Sequence, residues 1–209
     1  MKKMILLTVL LGMLATTADA QIAINEILGD PARDWDGDGL VDPKGDEWVE
    51  IVNLGTATVD LTDYWLRDDS SRLPDIGLGG LLAPGQVKVI YGSDVVAWQH
   101  DMGWLETGFG LNNSGGDYVY LLYGPYSEVL NYQILEQRWV GDHEAEDDRS
   151  AGRDPGSGQW VLFDGLNPYT GSIEPLGNGC EPTPGEPNYC EQPIADQVMG
   201  LGRLKAVFR

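Results

Sequence analysis

Apolar and polar positions alternate in short runs along this chain, and the runs are separated by dense punctuation. IAINEIL (22–28), EWVEIVN (47–53), TVDL (58–61), YWLRD (64–68), QVKVIYG (86–92), DYVYLLY (117–123), EVLNYQIL (128–135) and QWVLF (159–163) are rich in Val, Ile, Tyr and Trp, and clusters of Gly, Pro, Asn and Asp bound each of them. Eight such runs predict eight strands of an all-β sandwich or barrel. A period of two places Val49 and Ile51 on one face with Glu47, and Trp48, Glu50 and Val52 on the other. By the same rule Val87, Val89 and Tyr91 oppose Lys88, and Val119 and Leu121 oppose Tyr118, Tyr120 and Leu122. No window sustains a 3.6-residue period long enough to predict a core helix.

The texture changes after residue 140. GDHEAEDDRSAGRDPGSG (141–158) is polar and glycine-rich and reads as a long surface loop. Cys180 and Cys190 are the only cysteines and enclose nine residues dense in proline, which predicts one disulfide in an oxidising compartment. The start of the chain agrees. Lys2 and Lys3 precede an apolar run from Met4 to Leu14 and an Ala18-Asp19-Ala20 cleavage pattern, the form of a secretory signal peptide. The expected organisation is a signal peptide over 1–20, a domain over 21–190 and a basic tail over 191–209. That tail reads as a loose terminus or as an export or anchoring tag. No later segment approaches the 18 apolar residues of a membrane span.

The formal net charge is −20, from 33 acidic and 13 basic residues. Such a surface repels phosphates, so no nucleic-acid partner is expected. Acidity of this size keeps an exported protein soluble, and it also suits cation binding.

The densest acidic stretch is DWDGDGLVDPKGDEWVE (34–50). Asp34, Asp36 and Asp38 stand at positions 1, 3 and 5 of a calcium-type loop, Gly39 at 6, Leu40 at 7 and Asp42 at 9. Alternate residues of a tight loop turn their carboxylates inward. A glycine at position 6 permits the turn that aims the carbonyl of Leu40 at the ion. Val41 is expected to tuck into the core. Position 12 is Gly45 rather than Glu, so Asp46 or Glu47 must supply the closing carboxylate, and no helical pattern flanks the loop. The expected cofactor is a structural calcium ion in a loop between the first two strands. Trp35 interrupts the ligands at an outward position and is a candidate contact for a partner.

Catalytic patterns are sparse. There are two histidines, His100 and His143, and neither a G-x-S-x-G nor a phosphate-binding loop occurs. His143, inside the acidic 142–148 loop, leaves a calcium-dependent secreted hydrolase as the alternative to a binding module.

Taken in order, IAINEIL, DEWVEIVNLGTATVDLTDYWLRDD, LLAPGQVKVIYGSD and GFGLNNSGGDYVYLLY resemble the lamin tail domain family in its bacterial secreted form. DRSAGRDPGSGQWV and PTPGEPN are similar to its closing segments, so the resemblance covers about residues 21 to 188. It implies an immunoglobulin-like β-sandwich without catalytic residues, and Asp34 to Gly39 looks like the acidic insertion of bacterial members. The function it implies is that of a surface or extracellular module for a protein or glycan partner.

Overall fold

The computed structural model of the protein describes residues 21–70, 73–128, 131–141, 147–167 and 174–190. The expected signal peptide, the tail over 191–209 and His143 lie outside the described residues. The strands are β1 (Ile22–Leu28), β2 (Trp48–Asn53), β3 (Val59–Asp60), β4 (Tyr64–Arg67), β5 (Ile76–Gly77), β6 (Leu81–Leu82), β7 (Val87–Tyr91), β8 (Asp117–Tyr123), β9 (Gln133–Val140), β10 (Ser150–Arg153) and β11 (Trp160–Phe163). Two helices interrupt them, α1 (Pro43–Asp46) and α2 (Gly92–Asp101). All pairings among the described strands are antiparallel. One sheet has the order β11-β10-β1-β2-β7, the second β5-β4-β8-β9, and β3 pairs with β6 as a short ribbon.

The core forms between the two sheets. Ile22, Ile24, Ile27, Val49, Ile51 and Ile90 enter it from the first sheet, and Tyr64, Leu66, Ile76, Val119, Leu121 and Val140 from the second. Val59, Leu61 and Leu82 close one end, while Val95, Phe109 and Leu111 close another. Each of these apolar side chains contributes roughly 1.5–3 kcal/mol on burial. The alternation expected in β2 and β8 holds. In β7 the core residue is Ile90, on the Lys88 side, whereas Val87, Val89 and Tyr91 are half-buried.

Ile24 and Ile27 both face inward although they are three apart, because β1 carries a bulge. Ile24 pairs with Ile51 and Glu26 with Glu50, which leaves Asn25 as the extra residue. The bulge resets the phase of the strand and turns Glu26 to the outer face beside Glu50.

Three expectations need correction. Helix α2 occupies residues read as non-helical. It buries only Val95 and Gln99 beyond its first residue, so its apolar signal is too brief to register as a period. Gln99 is inside because its side-chain carbonyl accepts from the backbone N–H groups of Thr107 and Gly108 at 2.7 and 3.1 Å. Strand β10 runs through the expected surface loop. It has no apolar alternation because it lies between β1 and β11, and Asn188, Phe163 and Glu26 crowd Gly152, so no larger side chain fits. Strand β9 begins at Gln133, five residues later than expected, after a 3₁₀ turn at Tyr126–Glu128.

Helix α2 sits on α1 through Gly92. The Gly92 N–H donates to the carbonyl of Glu47 at 2.7 Å, and a Cβ at Gly92 would overlap the carbonyl oxygen of Lys44. Gly92→Ala is therefore expected to force the two helices apart and lower stability by about 1–3 kcal/mol, read as a lower urea midpoint at unchanged slope.

Candidate functional site

The connection from β1 to β2 carries the acidic loop, and the structure separates its acids into two groups. Asp34, Asp36 and Asp38 converge, each offering a carboxylate oxygen within 4.8 Å of the others. Calcium–oxygen distances are about 2.4 Å, so two oxygens on one ion lie no more than about 4.8 Å apart. The spacing is within one ion's reach, and carboxylate oxygens are of the hard type that calcium binds, which takes about six to eight of them. The loop is shaped by its own side chains. Asp34 accepts from the N–H groups of Gly37 and Gly39 at 2.8 and 3.0 Å, Asp36 from Asp38 at 3.0 Å, and Asp38 from Leu40 at 2.7 Å. Gly37 and Gly39 both adopt positive φ, at 78° and 91°, which supplies the reversals these turns require.

The other expected ligands have different partners. Asp42 caps α1, accepting from the Gly45 N–H at 2.7 Å. Asp46 is buried, and its carboxylate gathers the N–H groups of Trp35, Asp36 and Asp42 at 2.5, 3.2 and 2.8 Å. Glu47 points away from the loop, accepting from the Leu111 N–H at 3.2 Å. Neither Asp46 nor Glu47 belongs to the three-acid cluster. The Leu40 and Val41 side chains are exposed, so Val41 does not tuck into the core as expected: the loop stands off the end of the sandwich, and its anchor is polar.

Trp35 is not offered outward. It is half-buried against Trp48 at a ring separation of 6.0 Å, and its indole N–H donates to Asp148 at 2.8 Å. Asp148 also accepts from the Ala32 N–H and pairs with Arg33 at 2.9 Å. Of the acidic 142–148 segment, residues 142–146 lie outside the described residues, and Asp148 is committed to this tie. The second histidine, His100, is exposed on α2 and pairs with Glu106 at 2.8 Å, whose hydrogen bond and charge raise its pKa. It borders a depression of about 460 Å³ shared with Asp36, Asp38, Asp42, Lys44 and Val96.

A second set of acids lies inside the end of the sandwich, where composition and spacing gave no sign of it. Asp75 accepts from the Asp68 N–H at 2.6 Å. Asp117 accepts from the N–H groups of Asp69 and Asn112 and from the Asn112 side chain at 3.0–3.3 Å. Burial pushes Glu47 and Asp75 up to about 8, the latter further raised by the charge of Asp68. The available signal was an acid beside a turn at a strand boundary, a pattern too common in this chain to single these out.

A family model described as the Lamin Tail Domain matches residues 15–133, more than half of the chain. No curated protein and no solved structure matches it.

The native state holds a proton on Asp75 that the unfolded chain, with an ordinary carboxyl near 3.8, has already released. Its contribution to stability is thus present at low pH and is lost as pH rises towards about 8. Urea unfolding at pH 5.5 and 8.5 is expected to show that loss, and Asp75→Asn to reduce it by on the order of 1 kcal/mol.

Proposed function

The chain belongs to the lamin tail domain family, and from that premise we propose that it acts outside the cytoplasm as a non-catalytic binding or structural module whose acidic loop is closed by calcium. The domain is an all-β, immunoglobulin-like sandwich. Its disulfide between Cys180 and Cys190, with Cα atoms 5.7 Å apart, suits an oxidising compartment. No helix among the described residues is long and apolar enough to cross a membrane.

The observation that carries the calcium reading is the convergence of Asp34, Asp36 and Asp38 within one ion's reach. These three side chains would hold the ion, with the Leu40 carbonyl and Asp42 as further oxygens. Asp46 would act on the site indirectly, by fixing the backbone of Trp35 and Asp36. Calcium supplies charge compensation for carboxylates that otherwise repel one another, and the loop then holds β1 against β2 through binding coupled to folding. The family's fold carries the non-catalytic reading. The surface for a protein or glycan partner is the outer face of β8 and β9, where Tyr118 packs edge-on against Trp139 at 4.8 Å and Trp139 stays exposed.

Thermal unfolding in calcium and in chelator tests the ion. At a calcium concentration about 100 times the dissociation constant, the native state gains roughly 2.7 kcal/mol, a rise in midpoint of roughly 5–10 °C for a chain of this size. The double variant Asp36→Asn/Asp38→Asn is expected to lose that rise, and an unchanged midpoint in the unsubstituted protein would defeat the reading.

A further inference from the structure

The segment enclosed by the disulfide lies across the outer face of the first sheet, over a pair of buried carboxylates. Glu26 and Glu50 are cross-strand partners on β1 and β2, and neither side chain reaches solvent. Directly opposed residues on neighbouring strands place their Cβ atoms about 4.5–5.5 Å apart, so the two acids are close neighbours. Their covering is held mainly by polar contacts. Thr183 donates to Glu26 from its N–H at 3.2 Å and from its hydroxyl at 2.7 Å. Gly185 donates its N–H to Glu50 at 2.7 Å. Asn188 exchanges hydrogen bonds with Asn25, accepting from its side chain at 2.9 Å and donating to its carbonyl at 3.2 Å. Only Pro182 and Asn188 of the enclosed segment are buried, so apolar burial adds little.

We propose that residues 180–190 form a latch whose closure is set by protonation of the Glu26–Glu50 pair, shut while the pair holds a proton and opening as both carboxylates ionise.

The charges around the pair favour this behaviour. From the latch, Glu181 and Glu186 contribute further acids, and the charge of Glu186 bears on Glu50. From β7, Tyr91 is the titratable neighbour of Glu50, and Lys88 is turned to the Gly79 carbonyl at 2.8 Å. From β10, Ser150 donates to Glu26, while Arg153 is turned to Glu136 and the Ile24 carbonyl. Among the described residues no cation is hydrogen-bonded to either carboxylate. The buried donors favour the ionised form, but burial outweighs them at both positions, raising Glu26 and pushing Glu50 up to about 7. A protonated carboxyl still accepts from Thr183 or Gly185 through its remaining lone pairs. Two ionised carboxylates sealed together gain more from water than from the latch. The sign follows: the closed form binds more protons than the open one, so closure weakens as pH rises from about 5 towards 7 and beyond. The disulfide keeps the open segment tethered as a flap, and the proposal is independent of calcium.

Amide hydrogen exchange by NMR, in chelator at pH 5.5 and 8.0 and corrected for intrinsic exchange rates, tests the latch. The Thr183 and Gly185 amides are expected to show an opening constant roughly tenfold larger at pH 8.0, with the Val49 and Ile51 amides of β2 unchanged. Glu50→Gln is expected to flatten the dependence to about threefold or less. The proposal is overturned if the wild-type amides at 183 and 185 are insensitive to pH. It is equally overturned if they move together with Val49 and Ile51, or if Glu50→Gln keeps the full wild-type response.

Discussion

A backbone N–H that leaves a β-ladder must find an acceptor, because an unpaired buried donor costs about 1–3 kcal/mol. This protein repeatedly meets that demand with a carboxylate. Asp46 serves three amides of the acidic loop, and Glu47 and Asp117 serve the segment around Leu111 and Asn112. Asp75 serves the end of β4, Asp148 the chain after β1, and Glu26 and Glu50 the C-terminal segment. Short strands with long connections leave many such amides, and a carboxylate satisfies several at once. Part of the acidic composition is thus structural. It replaces ladder hydrogen bonds where the backbone turns.

The same device sets the electrostatics. Carboxylates drawn inside to hold amides carry their negative charge into the protein, and the buried acids here face amides and other acids more than cations. Burial holds Glu47, Glu50 and Asp75 well above the ordinary carboxyl range, against the lowering pull of the amides they accept from. The three acids left at the surface of the loop, Asp34, Asp36 and Asp38, differ in kind. They shape the loop locally, accepting from its own amides, and their carboxylates converge.

Most of the sandwich was legible in the sequence, because β1, β2, β8 and β11 stand at nearly the expected boundaries and β2 and β8 follow the period-two rule. The signal failed where packing rather than pattern decides structure. Helix α2 is too short and rests on a buried glutamine; β10 has small residues because neighbours crowd it from both sides. In the acidic loop the spacing located the three converging aspartates but not the direction of Asp46 and Glu47. Asp46 is the last residue of α1 and Glu47 links it to β2, and the first turns under the loop while the second turns to the Leu111 amide. The bulge at Asn25 was equally hidden, since one inserted residue leaves the composition of IAINEIL unchanged.

The place of β1 in its sheet has a consequence in time. It is the first of the described strands yet lies in the middle of five, hydrogen-bonded on one side to β2 and on the other to β10. Chains are synthesised at about 5–20 residues per second, so Ser150 follows Leu28 by on the order of ten seconds. Through that interval one flank of β1 is an open edge, able to pair with a wrong strand. Its late partner closes that edge, and Trp35 gains its bond to Asp148 at the same stage. The acidic loop is thus made well before the segment that seats it.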